Sequence, residues 1–271
     1  MSRAAAALAV GIAVAFLAIP LVALFVQAPL ADLPTLLDSA VVRDAVWVTV
    51  KTSLAANALI IGFGTPAAWV LATRRFPGRA LVLTLCELPL VLPPAVAGIA
   101  LLSAYAQGGL FGDALDRLGV VLPFGPWAVV LAVTFVAAPF YLRQAVATFA
   151  AVDADLTDVA RTLGASRTRT FWRVVLPLAA DGLAAGWVLA FARGIGEFGA
   201  TIIFAGNVQG RTTTLTLAVY QQLDSDLDVA LALGVLLVAL SAGVLVSYKL
   251  LGAWRSWTST SPAGFAPSPS R

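Results

Sequence analysis

The residues with the most chemistry to offer are two opposite charges inside an apolar stretch. Arg193 and Glu197 lie four positions apart, so on a helix they share one face. Gly194, Gly196 and Gly199 surround them, weaken a helix there and allow close approach of neighbouring backbones. Two roles fit. In one, Arg193 attracts an anion along a passage, with free amides at a helix break adding to the pull. Glu197 would repel that anion, which makes Arg193 the contact. In the other, the pair ties helices together and touches nothing else. Other chemistries are absent. There is no histidine, and the single cysteine, Cys86, falls in an apolar run and reads as a small buried hydrophobe. Disulfides, histidine metal sites and histidine triads are excluded together. Catalytic, metal and cofactor residues are therefore expected to be none. The lysines are Lys51 and Lys249, and neither follows a glycine-rich phosphate loop, so the chain has no such site for a nucleotide.

The elements that hold this pair are set by composition. Of 271 residues, 60% are hydrophobic and 11% charged. Soluble domains carry about 45–50% apolar and roughly 25% charged residues, so lipid must cover part of this chain. A membrane helix needs roughly 20 apolar residues. Six candidates fit, at 4–26, 45–71, 80–105, 127–147, 178–204 and 229–251, and all are expected to be helical because lipid leaves no other partner for backbone amides. The first is read as a retained anchor, because it exceeds the roughly 7–15 residues of a signal-peptide core.

Charge sets the orientation. Twelve basic residues fall on one side: Arg3, Arg74, Arg75, Arg79, Arg143, Arg161, Arg167, Arg169, Arg173, Lys249, Arg255 and Arg271. The opposite loops hold Arg43, Arg117 and Arg211 among many aspartates. The excess places both termini in the cytoplasm. The net charge of +3 gives no reason to expect nucleic acid as a partner. The tail from 256, rich in Ser, Thr and Pro, is expected to be disordered.

Each remaining intramembrane polar residue has a default reading. Glu87 is expected to hold an arginine or to lie near the cytoplasmic rim. Lys51 can snorkel outward, and Asn57 is expected to bond a neighbouring helix. Pro89, Pro93 and Pro94 should kink the third span, either for packing or as a pore-lining bend.

The loop at 153–177 carries its own pattern. Leu156, Val159, Ala160 and Leu163 share one helical face. Asp153 or Asp155 can cap its start, and Gly164 can end it in the left-handed conformation. A second short helix is expected near 166–175, and Pro177 suits the first turn of the fifth span. On periodicity alone, the first helix could also lie on the lipid surface.

Asp158-Val159-Ala160, then Gly164, then Val174-Val175-Leu176-Pro177 resembles the signature Glu-Ala-Ala-x3-Gly-x9-Ile-x-Leu-Pro of binding-protein-dependent ABC permeases. Asp158, Val159 and Val174 replace Glu, Ala and Ile while keeping charge or apolar character. The stretches at 88–94, Val96 to Gly98 and 191–207 further resemble molybdate and sulfate permeases. The Ala-Thr-Ile-Ile-Phe-Ala-Gly-Asn ending at 200–207 and the following 214–220 look closer to molybdate and tungstate members. The resemblance covers about residues 44–252.

That resemblance implies an all-α, six-span type I importer permease in a prokaryotic plasma (inner) membrane. It implies a peripheral first helix with an external loop at 1–43, a permease domain at 44–252 and a cytoplasmic tail at 253–271. It also implies a homodimer, two cytoplasmic ABC ATPases and an extracytoplasmic oxyanion-binding protein, with ATP and magnesium on the ATPase. The cargo would be molybdate, with tungstate or sulfate as alternatives. Asp158, Val159, Ala160, Gly164, Val174, Leu176 and Pro177 would couple to the ATPase. Arg193, Glu197, Phe198, Gly199, Thr201, Pro93 and Pro94 would line the path or its gate. An ion-coupled secondary transporter is the competing reading, against which the loop spacing speaks.

Overall fold

The computed structural model describes residues 2–259. Helices follow one another as α1 (Arg3–Gln27), α2 (Leu33–Leu37), α3 (Ala40–Thr73), α4 (Arg79–Glu87), α5 (Pro94–Tyr105), α6 (Gly112–Arg117) and α7 (Pro126–Ala150). Then come α8 (Ala154–Thr162), α9 (Arg167–Thr170), α10 (Leu176–Ile195), α11 (Gly199–Ala205), α12 (Leu215–Gln222) and α13 (Leu227–Ser259). No strand occurs among the described residues. The all-α expectation holds.

Among the described residues five helical runs are long and apolar enough to cross a membrane, α1, α3, α7, the continuous run Arg167–Ile195 and α13, and the bent pair Arg79–Leu90 with α5 makes six if it counts as one span. α7 is the most enclosed of these and forms the centre. Its Val129, Val133 and Val136 pack with Ala56 of α3, Ala97 of α5 and Phe204 of α11. Further along, its Tyr141 and Phe149 pack with Ile60 of α3 and with Ala179 and Ala190 of α10. A third cluster joins Val42 of α3, Leu215 of α12 and Leu233 of α13. α1 has no buried residue and leans on α13, with Leu24 against Gly234, as expected of a peripheral helix.

Three sequence expectations need correction. The third span at 80–105 is bent at its prolines as expected, but so sharply that it is two helices and not one kinked helix. α4 runs into a 3₁₀ turn at Leu88–Leu90, and α5 leaves it bent by 115°. Pro89, Pro93 and Pro94 supply no N–H, and Pro93 is extended at φ −55°, ψ 135°. A helix losing several amides within six residues, two of them adjacent, cannot continue. The fifth span does not run 178–204. It begins at Arg167 and ends at Ile195, and α11 follows as a separate short helix. Pro177 accordingly lies inside a continuous run and does not open it. A π turn at Phe171–Val175 accommodates it: the Leu176 N–H bonds Phe171 O, five residues back, which loosens the turn that the proline ring would otherwise strike. Lastly, residues 253–259 continue α13 as helix, since no proline interrupts them before Pro262, and the rest of the tail lies outside the described residues.

Candidate functional site

The loop between α7 and α10 folds as its sequence dictates. Asp153 Oδ1 accepts from Asp155 N–H at 3.0 Å and starts α8. At the other end, Gly164 N–H bonds Arg161 O and Ala165 N–H bonds Ala160 O. This paired closure needs a left-handed residue, and Gly164 sits at φ +83°. Ser166 Oγ then accepts from Arg169 N–H and opens α9.

The apolar face of α8 is not covered. Leu156, Val159 and Leu163 are 47%, 55% and 83% exposed. Asp158 faces Arg161 loosely at 3.9 Å. Ala160 is half-buried. Of the other coupling candidates, Val174 sits in the π turn with Leu176 and Pro177 just beyond it, so the signature spans the projecting helix and the helix that enters the membrane domain. An uncovered row of apolar side chains on α8, next to a capped glycine turn, is a candidate contact surface.

The second candidate region is the break between α10 and α11. Gly196 is at φ −88°, ψ 7° and Phe198 at φ −126°, ψ −54°, so the helix stops and restarts. Glu197 fills the gap. Its Oε1 accepts from Ala200 N–H at 2.8 Å, which caps α11, and Thr216 Oγ1 donates to its carbonyl at 2.8 Å. Arg193 Nη1 lies 2.7 Å from Glu197 Oε2, with side chains 28% and 1% exposed. That contact is close but misaligned for a hydrogen bond, so Oε2 is buried with only the ionic attraction to satisfy it.

α11 packs tightly against α5. A Cβ on Gly199 would stand 2.7 Å from Pro94 Cβ, and one on Gly98 would stand 2.8 Å from Ile203 Cβ. The break, Gly199 and Pro94 thus form one seam. Phe198 packs at a tilt against Tyr220 of α12, 5.0 Å between ring centroids. Arg193, Glu197, Phe198, Gly199 and Pro94 are therefore brought together. Pro93 is the exposed residue just before Pro94. Thr201 is fully buried with its hydroxyl unpartnered, which puts it in the packed interior and off any open surface.

Other polar residues settle in different ways. Glu87 faces Arg143 at 3.9 Å, both well exposed. Lys51 turns outward over the Trp47 ring at 4.3 Å. Asn57 does not bond a neighbouring helix; its amide donates to Ser53 O on its own helix, and its carbonyl oxygen is buried without a partner. Sequence reasoning missed Thr216 and Tyr220, whose roles depend on α12 folding back onto the break. It also missed Phe124, a non-glycine residue at φ +57° whose N–H donates to Phe204 O at the end of α11. The Pro123-Phe124-Gly125-Pro126 sequence is the local signal of an unusual turn there.

The sequence profile of the family described as "Binding-protein-dependent transport system inner membrane component" matches residues 60–256. The chain is 43% identical to the "Molybdenum transport system permease protein ModB" of Mycobacterium tuberculosis, over 86% of this chain and 88% of that protein. It is 35% identical to the "Sulfate transport system permease protein CysT" of Synechococcus elongatus, over 88% of this chain and 87% of that one. Among solved structures, a bacterial alginate ABC transporter in complex with a pentasaccharide-bound periplasmic protein matches with a TM-score of 0.72, 16% identity and coverage of 90% and 91%. At that identity the likeness bears on the fold alone.

Proposed function

This chain belongs to the family of binding-protein-dependent transport system inner membrane components, and from that premise we propose that its cargo is molybdate, carried into the cytoplasm. It is a multi-pass membrane permease subunit of an ABC importer and not an enzyme; ATP is hydrolysed by a separate subunit. The observation favouring molybdate is the 43% identity to a molybdenum permease, against 35% to a sulfate permease over a similar span. Tungstate and sulfate share shape and charge with molybdate and are the competing cargoes. The test is uptake of labelled molybdate by the reconstituted importer in competition with sulfate and tungstate. Preferential loss of uptake to sulfate would overturn the assignment.

In the proposed complex two copies pair around a two-fold axis, both termini face the cytoplasm, and a cytoplasmic ATPase sits under each α8. The uncovered Leu156, Val159 and Leu163 supply the docking face. Movement of α8 passes through α9 and the π turn into α10, because the run Arg167–Ile195 is continuous. α10 ends at the Arg193–Glu197 break, so displacement at one end reaches the seam between α11 and α5 at the other. There Arg193, the partly open member of the pair, meets the anion, while Glu197 holds Arg193 and caps α11. ATP and magnesium act on the ATPase alone.

A further inference from the structure

Behind α8 lies a partly open cavity of about 470 Å³, lined by the ends of α3 and α7, by α9 and by the π turn. Three arginines line it: Arg74 after α3, Arg161 on α8 and Arg167 on α9. Arg161 has only the loose contact to Asp158, and among the described residues Arg74 and Arg167 form no ion pair. The opposite wall is aromatic. Trp69 stands 5.4 Å from both Phe149 and Phe171, ring centre to ring centre, and all three rings line the space.

α8 therefore presents two faces to two different neighbours. Ala154, Thr157 and Arg161 turn toward the cavity, whereas the exposed Leu156, Val159 and Leu163 do not line it. A partner seated on the outer face leaves the cavity unfilled.

We propose that this cavity binds the phosphate of an anionic phospholipid headgroup, the three arginines meeting the phosphate and the Trp69 and Phe171 rings, backed by the buried Phe149, covering the glycerol and upper acyl carbons. Arginine forks match phosphate oxygens, basic recesses between helices on the cytoplasmic side select anionic headgroups, and a ring cluster at a helix end marks the membrane interface. Free inorganic phosphate would satisfy the arginines but leave the rings against water. A bound headgroup stiffens α8 from behind and makes coupled hydrolysis depend on anionic lipid. The site goes beyond the transport reading and rests on the proposed orientation only for which leaflet supplies the lipid.

The test measures phosphatidylglycerol retained by the purified permease–ATPase complex in native mass spectrometry, after exchange into phosphatidylcholine nanodiscs doped with phosphatidylglycerol. The variant Arg161→Gln/Arg167→Gln should bind phosphatidylglycerol about thirtyfold more weakly, each basic residue near an anionic surface contributing about fivefold. The control Arg75→Gln/Arg173→Gln removes the same charge from exposed positions outside the cavity and should retain wild-type binding within about fivefold. Equal losses in the two variants would reduce the effect to diffuse surface charge and overturn the site. Displacement of the lipid by millimolar inorganic phosphate would overturn the lipid as source. Lipid held by the permease alone but expelled by the ATPase would show that acidic ATPase side chains own the cavity and would overturn it too. Retention reads binding and not cargo, so a different transported anion would leave this result intact.

Discussion

Glu197 makes two contacts at once, and separating them tests the reading of the α10–α11 break. Glu197→Gln keeps an oxygen for Ala200 N–H but removes the charge facing Arg193. A charge-assisted bond becomes a neutral one, at a cost of about 1 kcal/mol. Glu197→Ala removes the cap and strands the Ala200 N–H, at a cost of about 2–4 kcal/mol. Arg193→Ala leaves a carboxylate that is 1% exposed without its cation. Breaking a fully buried pair costs about 3–5 kcal/mol, but Arg193 is 28% exposed and Ala200 N–H still serves the carboxylate, so about 2 kcal/mol is expected. Thermal unfolding of the permease in detergent should follow the order Glu197→Ala, Arg193→Ala, Glu197→Gln, with about 2–4 °C lost per kcal/mol. Uptake per folded importer in proteoliposomes should follow a different order. Arg193→Ala should fall furthest, by about tenfold or more, because the anion loses a charge-assisted contact worth about 1.5–3 kcal/mol. Glu197→Gln should transport close to the wild type. If Arg193→Ala transports normally per folded dimer, Arg193 is only a structural partner. If Glu197→Ala unfolds no earlier than Glu197→Gln, the capping role is refuted.

Three more outcomes follow from the geometry. Gly164→Val should leave insertion and dimerisation intact but uncouple ATP hydrolysis from uptake, since a β-branched residue at φ +83° carries strain of about 1–3 kcal/mol that moves α8; normal coupled uptake would sink the loop assignment. Gly199→Val should destabilise by about 1–3 kcal/mol or more by forcing α11 off Pro94, read as a lowered melting temperature with reduced uptake. Reporter fusions at Arg75 and Ser166 should read cytoplasmic and those at Gly112 and Gln209 external; a cytoplasmic Gly112 would invert the topology.

What could be read from the chain was local. The Asp153 cap, the apolar face of α8 and the Gly164 turn are separated by a few residues each, and all three stand in the fold as spacing demanded. The Arg193–Glu197 contact is also short-range and stands as the spacing of four suggested, although Glu197 lies just past the end of α10 and is not on the helix that carries Arg193. What could not be read was direction. The prolines of 80–105 announced a kink, but neither they nor a hydropathy window gave its size, a 115° bend that splits the span in two. Nor could the window over 178–204 tell a continuous span from one that stops at Gly196, because glycine is apolar enough to pass. Proximity between distant segments was equally hidden: Thr216 reaching Glu197 O, and Arg74, Arg161 and Arg167 lining one cavity.

The π turn at Phe171–Val175 has a consequence for how this chain can vary. One extra residue in a helical run turns everything beyond it by about 100°. The angular phase between the arginine-rich start of the run and the α10 face that ends in Arg193 is thus stored as a residue count. Deleting one residue from 171–175 would give a smoother helix with every other side chain still present, yet would turn α8 to face a different direction relative to α10. Substitutions in this stretch are tolerable in principle, whereas a single-residue insertion or deletion is not. A lineage that changed its length here would have to re-index both the outward face of α8 and the seam between α11 and α5 together.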